Sequence, residues 1–160
     1  MDTSIEQKLL LFDLSLDLLC IARFDGTILE ANKAWTRVLG FPTAEINGAA
    51  LFSLVHPDDE ARARRASRRL AAGNSLQDFE ASFRCSNGET RRLSWNVFAV
   101  ATQGVAVGVG RDVTAFRRQA AEASATSEKL RVVTEFTYDW EFWLGTDRRY
   151  LFISPSCERI

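Results

Sequence analysis

The segment Ser53–Arg65, "SLVHPDDEARARR", holds the single histidine of the chain, His56, beside Asp58, Asp59 and Glu60. An imidazole next to carboxylates suits three tasks: ligating a metal or haem, acting as a general base, or capping a helix. Its neighbours favour the third. Pro57 fits a first helical position, where its missing N–H would be unpaired anyway. The acidic residues that follow put negative charge at the positive end of a helix dipole. A general base would need a nucleophile, and no GxSxG or Cys-His signature is present. Cys20, Cys85 and Cys157 are far apart and odd in number, so they form neither a disulfide framework nor a CxxC metal site. Gly108-x-Gly110 follows an apolar run and imitates a dinucleotide-binding turn. Val113 stands where the third glycine belongs, and no parallel return strand follows. Arg62, Arg64, Arg65, Arg68 and Arg69 make a basic run with an acidic start and no interleaved aromatics. It reads as a solvated helix face rather than a nucleic-acid contact.

These side chains sit on elements that the spacing of apolar residues predicts. Ile5, Leu9, Phe12 and Leu16 recur at intervals of four, three and four, one face of an amphipathic helix over 1–16. "LLCIARFDGTILEAN" reads as a hairpin around Asp25-Gly26. Asn32 is placed to cap the helix "KAWTRVLG", which Gly40 and Pro42 end. A second helix begins at Pro57 and closes at Gly73. Beyond it the period becomes two: Phe79, Ala81 and Phe83, then Leu93, Trp95 and Val97, then "QGVAVGVGRDV". Three strands with short turns make an antiparallel meander, five strands in all with the first hairpin. From Thr114 the period is helical again. Val113, Phe116, Ala120, Ala123, Ser127 and Leu130 fall at heptad a and d spacing, a candidate dimer seam or a solvated connecting helix.

Bulk composition narrows the class. Hydrophobic residues are 46% and charged residues 26%, enough apolar material for a core in a soluble globular chain. A formal net charge of -1 gives no global field for nucleic acid or an acidic membrane. The apolar stretch Leu9–Ala22 is interrupted by Asp13 and Asp17 and is shorter than the roughly 20 residues of a membrane span. The cysteine usage points to a reducing, cytoplasmic setting. The tail repeats the opening hairpin. Sliding the chain by 122 residues brings Asp17 onto Asp139, Asp25 onto Asp147, Leu29 onto Leu151 and Arg37 onto Arg159. The tail reads as the start of a second copy, cut short by truncation rather than by a natural end.

Four segments in this order and spacing carry a resemblance: "FDGTILEANKAWTRVLGF", "LVHPDDEAR", "FEASFRCSNGETRRLSWN" and "GVGRDVTAFRR". Over Leu14 to about Arg118 the chain resembles the PAS (sensory box) domain. "DRRYLFISPSCERI" looks like the opening of another. The resemblance implies an α+β fold: a PAS-like five-stranded antiparallel sheet with short helices on one face. An N-terminal amphipathic helix (1–16), the domain (17–113), a C-terminal linker helix (114–135) and a truncated second domain (136–160) complete the organisation.

The resemblance also implies a sensory module rather than an enzyme, with no catalytic or metal residues in this segment. The expected partners are a second copy in a homodimer and a downstream transmitter domain of the same chain, most often a histidine kinase. A cyclic-dinucleotide enzyme is the alternative output, and a ligand-free dimerisation scaffold the alternative role. Ile5, Leu9, Phe12, Leu16, Phe116 and Leu130 would then carry the dimer helices. Trp35, Phe41, Leu51, Phe79, Phe83, Trp95 and Val107 are the pocket candidates, with filling of the core as the alternative for each. Asp112 and Thr114 occupy the family's Asp-x-Thr junction, where Asp112 can accept from the first free N–H groups of the exit helix. Haem is disfavoured because His56 precedes the helix in which haem-binding members carry their ligand. Cysteinyl-adduct flavin is disfavoured because "INGAALFS" lacks the cysteine. Non-covalent flavin or a small metabolite stays open.

Overall fold

Alternation of inward and outward side chains builds the sheet. The computed structural model describes residues 3–136, 142–144 and 150–153. Helix α1 (Thr3–Leu14) leads into strands β1 (Leu18–Arg23) and β2 (Ile28–Ala31). Helices α2 (Ala34–Leu39), α3 (Thr43–Ile46), α4 (Leu51–Leu54) and α5 (Pro57–Ala71) follow, then strands β3 (Leu76–Arg84), β4 (Thr90–Val100) and β5 (Val105–Asp112). The five strands pair antiparallel in the order β2-β1-β5-β4-β3, so the first and last strands lie side by side in the middle. Single bridges, Thr27 to Ala50 and Val55 to Phe83, cover part of each edge. This is the α+β fold expected from the sequence, with the helices joining β2 to β3.

The inner face carries Leu18, Cys20 and Ala22 from β1, Ala106 from β5, Leu93 and Trp95 from β4, and Ala81 and Phe83 from β3, all buried. Trp95 lies opposite Gly110 in register, and Gly108 faces both Cys20 and Val97. The two glycines leave room for the indole. A Cβ on Gly110 would sit 2.7 Å from Trp95 Cη2, and one on Gly108 3.3 Å from Trp95 Cζ3. Trp35 and Phe83 wedge the same ring, with centroids 5.6 and 5.8 Å from it.

Asn32 differs from its expected role. The residue before α2 is Lys33, and no side chain caps that helix. Asn32 is instead fully buried. Its Oδ1 accepts from Leu19 N–H at 3.0 Å, and its Nδ2 donates to the carbonyls of Phe12 (2.9 Å) and Asp17 (3.0 Å). One amide thus joins β1 to the end of α1.

Helix α1 also departs from its expected stripe. It ends at Leu14, so Leu16, 84% exposed, lies beyond it. The chain turns there so that the Asp17 carbonyl can meet Asn32. Phe12 is half-buried, whereas Leu9, Leu10, Leu11 and Leu14 are all exposed. Three consecutive exposed leucines span too wide an arc for one seam.

The chain divides into two units, 1–115 and 116–160. Helix α6 (Thr114–Phe136) runs through the boundary, and strands β6 (Phe142–Leu144) and β7 (Tyr150–Ile153) form a separate antiparallel pair. Phe116 is 65% exposed; the side chains of Ile5 and Leu130 lie outside the described residues. The β6–β7 pair repeats the β1–β2 register. Cys20–Ala31, Ile21–Glu30 and Ala22–Ile28 become Phe142–Ile153, Trp143–Phe152 and Leu144–Tyr150, with the register shift at the same place.

Candidate functional site

Between the sheet and helices α4 and α5 lies a cavity of about 80 Å³. One water needs only ~10–15 Å³, so several small atoms fit. Its walls are Cys20, Ala22, Ala106 and Gly108 from the central strands, Phe79, Phe83, Trp95 and Val97 from β3 and β4, and Leu51, Phe52, Ala63, Ala66 and Leu70 from the helices. Small residues on β1, β5 and α5 leave this space, because alanine and glycine cannot reach across to the opposite wall. Gly26 closes the end near Phe52 at φ +94°, where a Cβ would meet the ring at 2.4 Å.

The walls are almost entirely hydrocarbon. Ser67 spends its hydroxyl on the Phe24 carbonyl at 2.6 Å, and Arg23 lies at the exposed end of β1. Burial pushes the Cys20 thiol up to about 12, against a smaller opposing pull from the Gly108 backbone, so it is neutral at physiological pH. Two arginines of α5 cover the aromatic walls from outside: Arg62 stacks 5.1 Å from the Phe79 centroid, and Arg64 4.4 Å from Phe52.

His56 is the N-cap residue of α5, with Pro57 in the first turn; its Nδ1 accepts weakly from Asp58 N–H at 3.4 Å. It does not line the cavity. Among the described residues no three of His, Cys, Asp and Glu gather around a metal-sized site. A flavin ring carries several polar edge atoms, and these walls offer almost no hydrogen-bonding groups to meet them.

Asp59 is the residue of this motif with most partners. Its Oδ1 takes Arg62 at 2.6 Å, and its Oδ2 takes Ser82 N–H at 2.8 Å and Arg92 Nη1 at 3.3 Å. Burial alone would raise its pKa. The Ser82 N–H, Arg62 and the Ser82 side chain outweigh that and hold the carboxyl below its ordinary value. The lowered pKa stabilises the fold above the unfolded value near 4, and this contribution is lost as pH falls through the folded value. The urea midpoint is therefore expected to drop below about pH 4, and to drop less steeply in Asp59→Asn. Equal slopes in the two proteins would exclude this role.

At the other end of the sheet, Asp112 Oδ1 accepts from Thr114 N–H at 2.9 Å and from the Thr114 hydroxyl. Thr114 Oγ1 in turn accepts from Arg92 N–H at 2.8 Å, and Val113 N–H donates to the Arg92 carbonyl at 2.9 Å. The first helical residue of α6 is thereby bound to β4 as well as to β5.

A family model described as the PAS fold matches residues 12–118. The chain belongs to the PAS fold family. Solved structures agree with this. The PAS domain of an HTR-like protein from Haloarcula marismortui is 19% identical, with a TM-score of 0.62, covering 70% of this chain and 99% of its own. A domain of a sensory box sensor histidine kinase/response regulator from Geobacter sulfurreducens is 21% identical, with a TM-score of 0.60, covering 68% and 94%. The PAS domain of the RpfR quorum-sensing receptor from Cronobacter turicensis, in complex with BDSF, is 20% identical, with a TM-score of 0.55, covering 62% and 96%. At these identities the likeness is one of fold. No curated protein matches the chain.

Within this PAS domain, four of the seven pocket candidates, Leu51, Phe79, Phe83 and Trp95, line the cavity. The other three do not. Trp35 is a fully buried plug behind Trp95, its Nε1 held by the Leu19 carbonyl at 3.0 Å. Phe41 packs at the margin of the core. Val107 is 38% exposed, on the outer face. The residues missed include Phe52, Leu70 and Val97 and, above all, the small ones, Ala63, Ala66, Ala106 and Gly108, which define the cavity by what they lack.

Proposed function

We propose that this PAS domain is the sensory input of a larger cytoplasmic signal-transduction protein, and that its signal is a small, uncharged, apolar molecule held between the sheet and α5. The cavity carries this reading: its walls favour hydrocarbon, and the charged residue of its lining, Arg23, lies at the exposed end of β1. A histidine kinase is the proposed output, and a cyclic-dinucleotide enzyme the alternative; the Geobacter neighbour supports the first by kinship of fold alone. The signal would leave through α6 by a shift in the population of two packings, carried by Asp112 and Thr114. The proposed assembly is a homodimer. Among the described residues no helix is long and apolar enough to cross a membrane.

Titration of the chain with hexan-1-ol and with hexanoate, followed by NMR, tests the ligand class. Hexan-1-ol should bind at least about tenfold more tightly, because hexanoate must bring a charge into a hydrocarbon cavity whose charged lining residue, Arg23, is exposed to solvent. Ala66→Phe, which fills the cavity from α5, should abolish binding. Equal binding of the two probes would overturn the proposed class. Binding of neither would favour a ligand-free dimerisation scaffold, a reading that the exposed Leu9, Leu10, Leu11 and Leu14 support.

A further inference from the structure

Arg92 touches both ends of the route from cavity to exit helix. Its side chain runs across the edge strand β3. There Nη1 meets Ser82 Oγ at 3.1 Å and Asp59 Oδ2 at 3.3 Å, and Nε meets Glu80 Oε2 at 3.3 Å. Asp59 belongs to the first turn of α5, whose Ala63, Ala66 and Leu70 wall the cavity. The backbone of Arg92 faces the other way. Its N–H donates to Thr114 Oγ1 and its carbonyl accepts from Val113 N–H, so one residue holds both Val113 and Thr114, where β5 gives way to α6. A neighbouring ion pair at the junction, Arg91 to Asp112, is longer at 3.6 Å and does not reach α5.

Charge-assisted bonds to a half-buried guanidinium are directional and strong for their size. Asp59 and Glu80 are largely shielded, at 15% and 18% side-chain exposure, so water competes weakly for them. A displacement of α5 therefore pulls on the Arg92 side chain, and the same residue carries the pull to Thr114 through its own N–H. We propose that Arg92 is a positioning residue that ties the placement of α5 to the first residues of α6. This deepens the proposed function, resting on it only for what displaces α5.

Backbone hydrogen exchange of the whole chain tests the link without any ligand. The amides of Arg92, Val113 and Thr114 are the reporters, because each is closed by a bond of the junction. Those in the centre of β5 are the reference. Asp59→Asn should speed the three reporters about fivefold relative to β5, although Asp59 bonds to none of them. In an Arg92→Gln background the same change should add nothing. Arg92→Lys keeps a cation near Asp59 and should restore part of the response. Equal acceleration at reporters and reference would show a merely structural role and overturn the proposal. So would an Asp59→Asn effect that survives in Arg92→Gln. Failure of hexan-1-ol to bind would count against the sensing cavity alone and leave this result standing.

Discussion

Asn32→Leu is expected to destabilise the PAS domain by about 3–5 kcal/mol, a large part of the ~5–15 kcal/mol that holds a typical domain together. Leucine keeps the four-atom branched shape of asparagine but its methyl groups are bulkier, so overpacking adds to the loss. The larger part falls on hydrogen bonding. Leu19 N–H, the Phe12 carbonyl and the Asp17 carbonyl would each lose their amide partner. Asn32 is fully buried, so solvent cannot easily replace it. Each such group costs roughly 1–3 kcal/mol when left unpaired. Asn32→Asp separates the contributions, since it keeps the acceptor for Leu19 and removes both donors. Urea denaturation measures both variants. A loss under about 1 kcal/mol for Asn32→Leu would mean that the three backbone groups find other partners.

Gly110→Val should cost about 2–3 kcal/mol through overpacking. The added Cβ would lie 2.7 Å from both Cη2 and Cζ2 of Trp95. Trp35 and Phe83 hold two of its sides, so the indole can yield only toward the cavity that it lines. Trp95→Phe, which shortens the ring, should recover part of the loss when combined with Gly110→Val. Additive effects of the two changes in thermal unfolding would refute direct contact between them.

The strands and turns of this domain were legible because one side of each segment faces hydrocarbon and the other water. Phe79, Ala81 and Phe83 against Glu80, Ser82 and Arg84 leave little choice of face. The strand Val105–Asp112 was legible as a strand but not in its facing. Its inward positions, Ala106, Gly108 and Gly110, are small, and its outward ones are valines. Hydrophobicity points the wrong way there, which is why Val107 was assigned to the pocket. Gly108-x-Gly110 imitates a phosphate turn that Val113 in the third glycine's place excludes; the glycines accommodate an indole on a neighbouring strand. Asn32 looked like a cap because a cap is local, while its partners lie up to 20 residues back. Nothing in the sequence singles out Arg92, since its partner Asp59 is 33 residues away. What sequence patterning cannot see, in each case, is a contact between side chains and backbones distant along the chain.

The two hairpins share a pairing register and its irregularity but few of their side chains. Backbone hydrogen bonds therefore cannot tell β2 from β7 as the neighbour of β1 while the chain is folding. Size can. Where β2 carries Ile28 and Ala31, β7 carries Tyr150 and Ile153. Ile28 and Ala31 are buried at 0% and 4% exposure, so the exchanged strand would force two larger residues into filled space. Side-chain volume is therefore expected to oppose strand exchange between the two similar segments, a characteristic way for repeated units to misfold.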